Sequence, residues 1–203
     1  MNRATVGLAR LALPKRVRAR LYDFYLNRRI EGLPSRRFLD EAILPALVGA
    51  GCKTALFAGV GGYNRKCLRK CRDSGMILWT IDVDPNAARW GAVNRHIVGD
   101  LCLLGRLMPA QTFDTIIING VFGYGIDDIQ RTEAALNAVA TTMKEHGVLV
   151  VGGQSVGYRE LESVRRNFVA SRLGALPPQV EFPPDAIQTE HHRYDIYRRA
   201  PRA

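Results

Sequence analysis

The sequence predicts an α/β domain: a mostly parallel sheet with helices on both faces and an antiparallel strand at its C-terminal end. Three observations carry this expectation. Short, unbroken apolar runs alternate with helical patterns along the chain, as strands buried on both faces require. The first run, Ala55-Leu56-Phe57-Ala58, ends in Gly59-Val60-Gly61-Gly62, and the next, Trp79-Thr80-Ile81, ends in Asp82-Val83-Asp84. The last strand-like segment, residues 193–198, follows a stretch containing Pro177, Pro178, Pro183 and Pro184. No crossover helix fits into that stretch, so the final strand is expected to return antiparallel.

Taken in order, Pro14 followed by Val17, Leu21, Phe24 and Tyr25 spaces apolar residues at helical intervals. Leu33-Pro34-Ser35 reads as a break, with Ser35 capping a helix over 36–49 that Gly51 closes. Residues 53–58 form the first strand, and the glycine turn leads into a helix over 64–73. Residues 76–83 form the second strand, and Asp84-Pro85 opens a short helix reaching Trp90. A brief strand over 96–98 ends at Gly99-Asp100, and a helical stretch runs to Leu107. Residues 113–119 are the clearest strand. A helix over 128–144 follows, with His146 at its C-terminal end complementing the dipole, and Gly147 breaks it before a strand over 148–151. A helix over 158–172 and the final strand complete the chain. Residues 1–50 are thus read as a basic helical arm packed on or capping the core, and 51–203 as the α/β body.

A chain of 203 residues suits one domain with a full core. No run approaches the roughly 20 apolar residues of a membrane span. Cys52, Cys67, Cys71 and Cys102 are few and scattered, which suits free thiols and a reducing, cytoplasmic location. The net charge of +10 is unevenly placed: residues 1–37 hold ten Lys/Arg against Asp23 and Glu31, a net of +8, leaving +2 for the rest. A nucleic-acid surface spread over the whole body is not what this distribution predicts. The arm fits a helix docked on its own domain with a solvated basic face. It also fits a helix lying on an anionic membrane surface, gripping nucleic acid, or serving as an organellar targeting segment.

The chemistry begins at the glycine turn. Glycines let the backbone approach a ligand where a Cβ would collide, and a carboxylate at the next strand end is placed to accept hydrogen bonds from a ribose. Together they predict a bound nucleoside. Asn64 stands where a dinucleotide fingerprint has its third glycine, which disfavours a nicotinamide-dependent oxidoreductase.

From Lys53 to Gly152 the chain resembles the class I S-adenosylmethionine-dependent methyltransferases, whose fold is Rossmann-like. The resemblance rests on the order Gly59-Val60-Gly61-Gly62, Asp82, Gly99-Asp100-Leu101, Phe113-Asp114-Thr115-Ile116 ending at Asn119-Gly120-Val121, and Lys144-Glu145-His146-Gly147. Asn119 to Asp128 and Tyr194-Asp195-Ile196-Tyr197-Arg198-Arg199 are also similar to small, mostly uncharacterised bacterial members. Phe57 stands where the family often has an acid, and Tyr63 where it has a glycine.

The resemblance implies S-adenosyl-L-methionine as cofactor, held by Ala58, Gly59, Val60, Gly61, Gly62, Tyr63, Asp82, Val83, Asp100, Leu101 and Asn119. Asp82 would take the ribose hydroxyls and Asp100 the adenine amino group. Asn119 and Tyr124 are the acceptor-pocket candidates, since methyl transfer needs mainly alignment and sometimes proton removal. Plainer readings stand beside these: Asp82, Asp84, Asp100 and Asp128 as helix caps, and Asn119 as a turn residue before Gly120. Adjacent strand positions point to opposite faces, so at most one of His191 and His192 reaches a given site. Cys67 and Cys71 are one helical turn apart with no third ligand nearby, so no metal site is expected. The implied function is methyl transfer to an O, N or C nucleophile of a small or medium-sized acceptor. The alternatives are a binding or regulatory module that has lost turnover, and an RNA methyltransferase using the basic arm. Neither the loop after Asn119 nor the proline-rich region carries a motif that names the acceptor.

Overall fold

The computed structural model describes residues 14–154, 173–175, 180–182 and 192–199. Its centre is an eight-stranded sheet in the order β3-β2-β1-β4-β5-β8-β6, with β7 also pairing with β8. The strands are β1 (Thr54–Ala58), β2 (Ile77–Asp82), β3 (His96–Val98), β4 (Phe113–Asn119), β5 (Met143–Gln154), β6 (Leu173–Ala175), β7 (Val180–Phe182) and β8 (His192–Arg199). Strands β1 to β5 are mutually parallel. Strand β8 is antiparallel to β5, from Val148 opposite Arg198 to Gln154 opposite His192. The mostly parallel sheet with an antiparallel C-terminal strand is therefore observed.

The helices are α1 (Lys15–Glu31), α2 (Pro34–Phe38), α3 (Leu44–Gly49), α4 (Arg65–Asp73), α5 (Leu104–Leu107) and α6 (Ile129–Thr142). A π-helical turn, Leu39–Ile43, joins α2 to α3. Strand alternation divides the core. Leu56, Ile116, Ile118 and Leu149 face α6, while Phe57, Ile117, Val150 and Tyr194 face the helices of the N-terminal region. Leu39, Ile43, Leu44 and Leu47 fill that second face with exposures of 4% or less, so residues 39–47 are part of the core. No helix among the described residues is long and apolar enough to cross a membrane.

Four expectations need correction. Ser35 does not cap: the helix begins at Pro34 with Leu33 at its N-cap, and Ser35 is buried within the first turn. Proline's fixed φ favours the first helical position, which moves the start one step earlier. The apolar stripe of α1 is not a docking seam, because Val17, Leu21, Phe24 and Tyr25 are all exposed. The helix approaches the body instead through Asn27, whose side chain lies against Gly62. His146 does not end a helix. It sits at φ +62° inside β5, in an irregularity where Phe113 pairs with Met143 and Thr115 with Val148. Finally, β6 and β7 are strands the sequence did not signal. The helix expected over 158–172 lies outside the described residues.

Candidate active site

The chain order of the sheet reverses between β1 and β4, the point at which open α/β sheets form a crevice beyond their carboxyl ends. Gly59 makes that crevice possible. Its φ is +84°, and a methyl group there would lie 2.7 Å from the Asn119 carbonyl oxygen and 2.8 Å from the Val121 side chain. The Gly59 N–H donates to the Ile81 carbonyl at 3.1 Å, and the Val60 N–H donates to Asp82 Oδ2 at 2.7 Å. Asp82 Oδ1 accepts from the Asp84 N–H at 2.9 Å. The carboxylate thus ties the glycine loop to the end of β2, with one donor on each oxygen and lone pairs to spare.

A cleft of about 440 Å³ opens here, within the ordinary range for small-molecule sites. Of the residues expected to hold a ligand, Ala58, Gly59, Asp82, Val83, Asp100, Leu101 and Tyr124 line it. Val60, Gly61, Gly62, Tyr63 and Asn119 do not. The Tyr63 ring folds back over Gly61, where a methyl group would meet it at 2.6 Å, and the Arg36 guanidinium lies 4.7 Å from its centroid. Tyr63 therefore neither lids nor blocks the cleft. Asn64 turns the loop by accepting the Gly61 N–H at 2.8 Å.

At the cleft's far wall Asp100 serves two neighbours. Its Oδ1 accepts from the Cys102 N–H at 2.9 Å, and its Oδ2 pairs with Arg131 Nη2 at 2.8 Å. Burial raises its pKa, but these donors more than offset that and lower it overall. Arg131 also donates to the Gly125 carbonyl at 2.9 Å, joining the loop after β3 to the loop after β4. Arg131, Gly125 and Ile126 are lining residues that sequence reasoning missed. Arg131 carried one signal: it lies three residues after Asp128, whose Oδ1 caps α6 by accepting the Arg131 N–H at 2.7 Å. A first-turn residue of α6 was therefore bound to face the strand ends.

Asn119 lies elsewhere. It shares the face of Ile117 and Tyr194, is completely buried, and donates from Nδ2 to the Tyr194 hydroxyl at 3.2 Å. Burial pushes the Tyr194 hydroxyl up to about 12, so it stays protonated. The Tyr194 ring centroid is 4.9 Å from that of His192. Burial, assisted by the nearby Arg36 charge, pushes His192 down to about 4, leaving the imidazole neutral at physiological pH. His191 lies outside the described residues. Cys67 and Cys71 lie on α4 and are both buried in the core.

Neither a protein-family model nor a curated protein matches this sequence. Solved structures do match by shape. The N-methyltransferase NodS from Bradyrhizobium japonicum WM9, in complex with S-adenosyl-L-homocysteine, superposes with a TM-score of 0.65 at 19% identity, over 85% of this chain and 91% of that one. A SAM-dependent methyltransferase from Archaeoglobus fulgidus gives 0.61 at 13% identity, over 88% and 100%. Burkholderia thailandensis 1,6-didemethyltoxoflavin-N1-methyltransferase, with bound 1,6-didemethyltoxoflavin and S-adenosylhomocysteine, gives 0.59 at 15% identity, over 94% and 92%. With its strand order, its glycine turn at the β1/β4 reversal and its antiparallel β8, the chain has the fold of the class I S-adenosylmethionine-dependent methyltransferases.

Proposed function

We propose that this chain binds S-adenosyl-L-methionine and transfers its methyl group to an O, N or C nucleophile of a small or medium-sized acceptor by in-line displacement. One observation carries the reading. Asp82, at the end of β2, holds the Val60 N–H beside a glycine that must lack a Cβ. That arrangement suits a ribose whose hydroxyls share the carboxylate. The cofactor fits the residues present. Asp82 would hold the ribose, and Leu101 with the Asp100–Arg131 pair would flank the adenine. The cofactor brings a sulfonium with an activated methyl carbon, so the protein's contribution is alignment of that carbon with the acceptor and exclusion of water. The neighbours found with S-adenosylhomocysteine support the same cofactor.

Calorimetry with S-adenosylhomocysteine tests the reading. Binding in the micromolar range that falls steeply in Asp82→Ala is expected, and no detectable binding to the unaltered protein overturns it.

A second reading, an RNA acceptor, has one observation in its favour. A separate cleft of about 460 Å³ is lined by Arg65, Arg69, Arg72 and Arg95 beside Trp90, whose ring carries the Arg65 guanidinium at 4.0 Å. Arginines beside a half-buried aromatic suit phosphates and bases. RNA affinity falling steeply with salt and lost in Arg65→Glu/Arg69→Glu is its expected signature.

A further inference from the structure

Five buried side-chain nitrogen or oxygen atoms lack a hydrogen-bond partner among the described residues. Three of them, Arg36 Nη1, Asn119 Oδ1 and His192 Nε2, belong to residues around Tyr194, at the carboxyl ends of β4 and β5. Buried polar atoms in folded proteins are satisfied in roughly nine cases out of ten, so orphans gathered at one place call for a shared partner.

The gathering is physical. Asn119 donates to the Tyr194 hydroxyl at 3.2 Å, and the Tyr194 ring lies tilted against that of His192, with centroids 4.9 Å apart. The Phe38 ring, two residues beyond Arg36, lies 6.4 Å from that of Tyr194 and seats α2 over the start of β8. No carboxylate among the described residues pairs with Arg36. Its guanidinium lies over the Tyr63 ring, and its charge is felt by His192 and Tyr194. The lobe presents a guanidinium that lacks an anion, an amide oxygen that lacks a donor, and a neutral imidazole between elements that carry them.

We infer that this lobe binds the methyl acceptor, and that the acceptor is a small anion: a carboxylate or phosphate held by Arg36, bearing an N–H or O–H that Asn119 Oδ1 accepts. Guanidinium is the side chain best shaped for a planar or tetrahedral oxyanion, and partial burial strengthens such a pair. The inference rests on the cofactor reading above, because the lobe is the acceptor's only if the neighbouring cleft is the cofactor's. Position separates the two. The cleft is lined by Asp82, Asp100, the loop after β4 and Arg131 of α6, on the sheet face of Ala58, Ile81 and Ile126. The lobe lies on the opposite face, that of Ile117 and Tyr194. The Tyr63 ring, laid over Gly61, stands between the glycine loop and the guanidinium. Asn119, at the end of β4, belongs to the lobe by its side chain and to the crevice by its backbone, since its carbonyl faces Gly59.

The test titrates inorganic phosphate and, separately, benzoate into the full chain while following the ring resonances of His192 by NMR, assigned with a His192→Gln variant. Each titration is run with and without saturating S-adenosylhomocysteine. The expected result is a saturable shift for at least one anion that persists with S-adenosylhomocysteine bound. It weakens by about tenfold or more in Arg36→Gln and returns in Arg36→Lys, while all three proteins bind S-adenosylhomocysteine alike. Absence of a saturable shift with both anions overturns the inference. So does an anion that displaces S-adenosylhomocysteine together with loss of its binding in Arg36→Gln, because the guanidinium would then hold the cofactor's own carboxylate. Failure of the unaltered protein to bind S-adenosylhomocysteine sinks the cofactor reading instead, and with it the lobe's assignment to an acceptor. The titration without cofactor then still reports whether Arg36 binds an anion.

Discussion

Strand β4 carries a polar residue at each end, and the protein treats them oppositely. Asp114, near the start, accepts hydrogen bonds on both carboxylate oxygens, four in all. Its Oδ2 accepts from the Lys53 N–H at 2.9 Å, the Thr54 N–H at 2.7 Å and the Thr54 hydroxyl at 2.8 Å. Its Oδ1 pairs with Lys144 Nζ at 3.0 Å. Asn119, at the finish, is more deeply buried yet leaves its amide oxygen with no donor. Burying an unsatisfied group costs about 1–3 kcal/mol, so the molecule bears a penalty at the carboxyl end that it avoids at the amino end. The lesson is one of division of labour along a single strand. The amino end of the sheet is completed by folding, and the carboxyl end keeps an unsatisfied acceptor that the proposed ligand would complete.

That contrast can be broken by experiment. The largest effect should come from the carboxyl end. Asp82→Ala is expected to weaken S-adenosylhomocysteine about a hundredfold, near 3 kcal/mol, as a charged hydrogen-bonding group is lost. Its unfolding midpoint should move much less. A variant with unchanged affinity would remove the functional half of the comparison. Asp114→Ala should do the reverse. It should lower stability in urea by about 1–3 kcal/mol, since four donors lose their acceptor, and leave S-adenosylhomocysteine affinity unaltered.

Acid titration examines the same residue. Burial raises the Asp114 pKa, but the hydrogen bonds from Lys144, Thr54 and Lys53 outweigh it and bring the group down to about 2. A carboxylate depressed on folding contributes stability above its ordinary pKa of 3.8 and loses it as the pH falls through that value toward 2. Between pH 4 and 2 the unaltered protein should therefore lose stability more steeply than Asp114→Asn, read by thermal unfolding at each pH. Parallel curves would contradict the assignment.

Gly152→Ala comes next. A methyl group there would lie 2.5 Å from a Tyr194 ring carbon and 2.8 Å from Asn119 Oδ1. Overpacking at that point is expected to cost about 1–2 kcal/mol and to shift the His192 ring resonance. The smallest effect belongs to His146→Gly. Relief of a left-handed backbone at φ +62° is partly cancelled by the greater freedom of glycine in the unfolded chain. A gain of at most about 0.5 kcal/mol is expected, with no change in ligand affinity.

The division also explains what could be read from sequence. Strands β1, β2 and β4 were legible because each is a continuous apolar run closed by a glycine or a polar residue, and their order predicted where a crevice would form. Asp82 was legible because its position depends only on the strand that precedes it. His146 and the two short strands were not, because their conformations depend on neighbours distant in sequence. The irregularity at His146 coincides with the Asp114–Lys144 pair across β4 and β5. Arg36 is the clearest case. Among ten cationic residues in the first 37 it looked like one more solvated charge. Its environment comes from β8, which the chain reaches only near its C-terminal end. Phe57, noted for not being an acid, is a core residue with no exposed surface, packed on the face of Leu39 and Ile43.

The Asn119–Tyr194 hydrogen bond joins residues 75 positions apart. At a synthesis rate of about 5–20 residues per second, some 4–15 s separate the appearance of the two partners. The glycine turn, Asp82 and the first four strands are all made before that interval begins. A nascent chain can therefore assemble its nucleoside cleft while the neighbouring lobe still lacks its floor. Contacts of such long sequence separation form late because loop closure must come first. On the proposed reading, the capacity to hold both ligands at once is acquired only once β8 has been made.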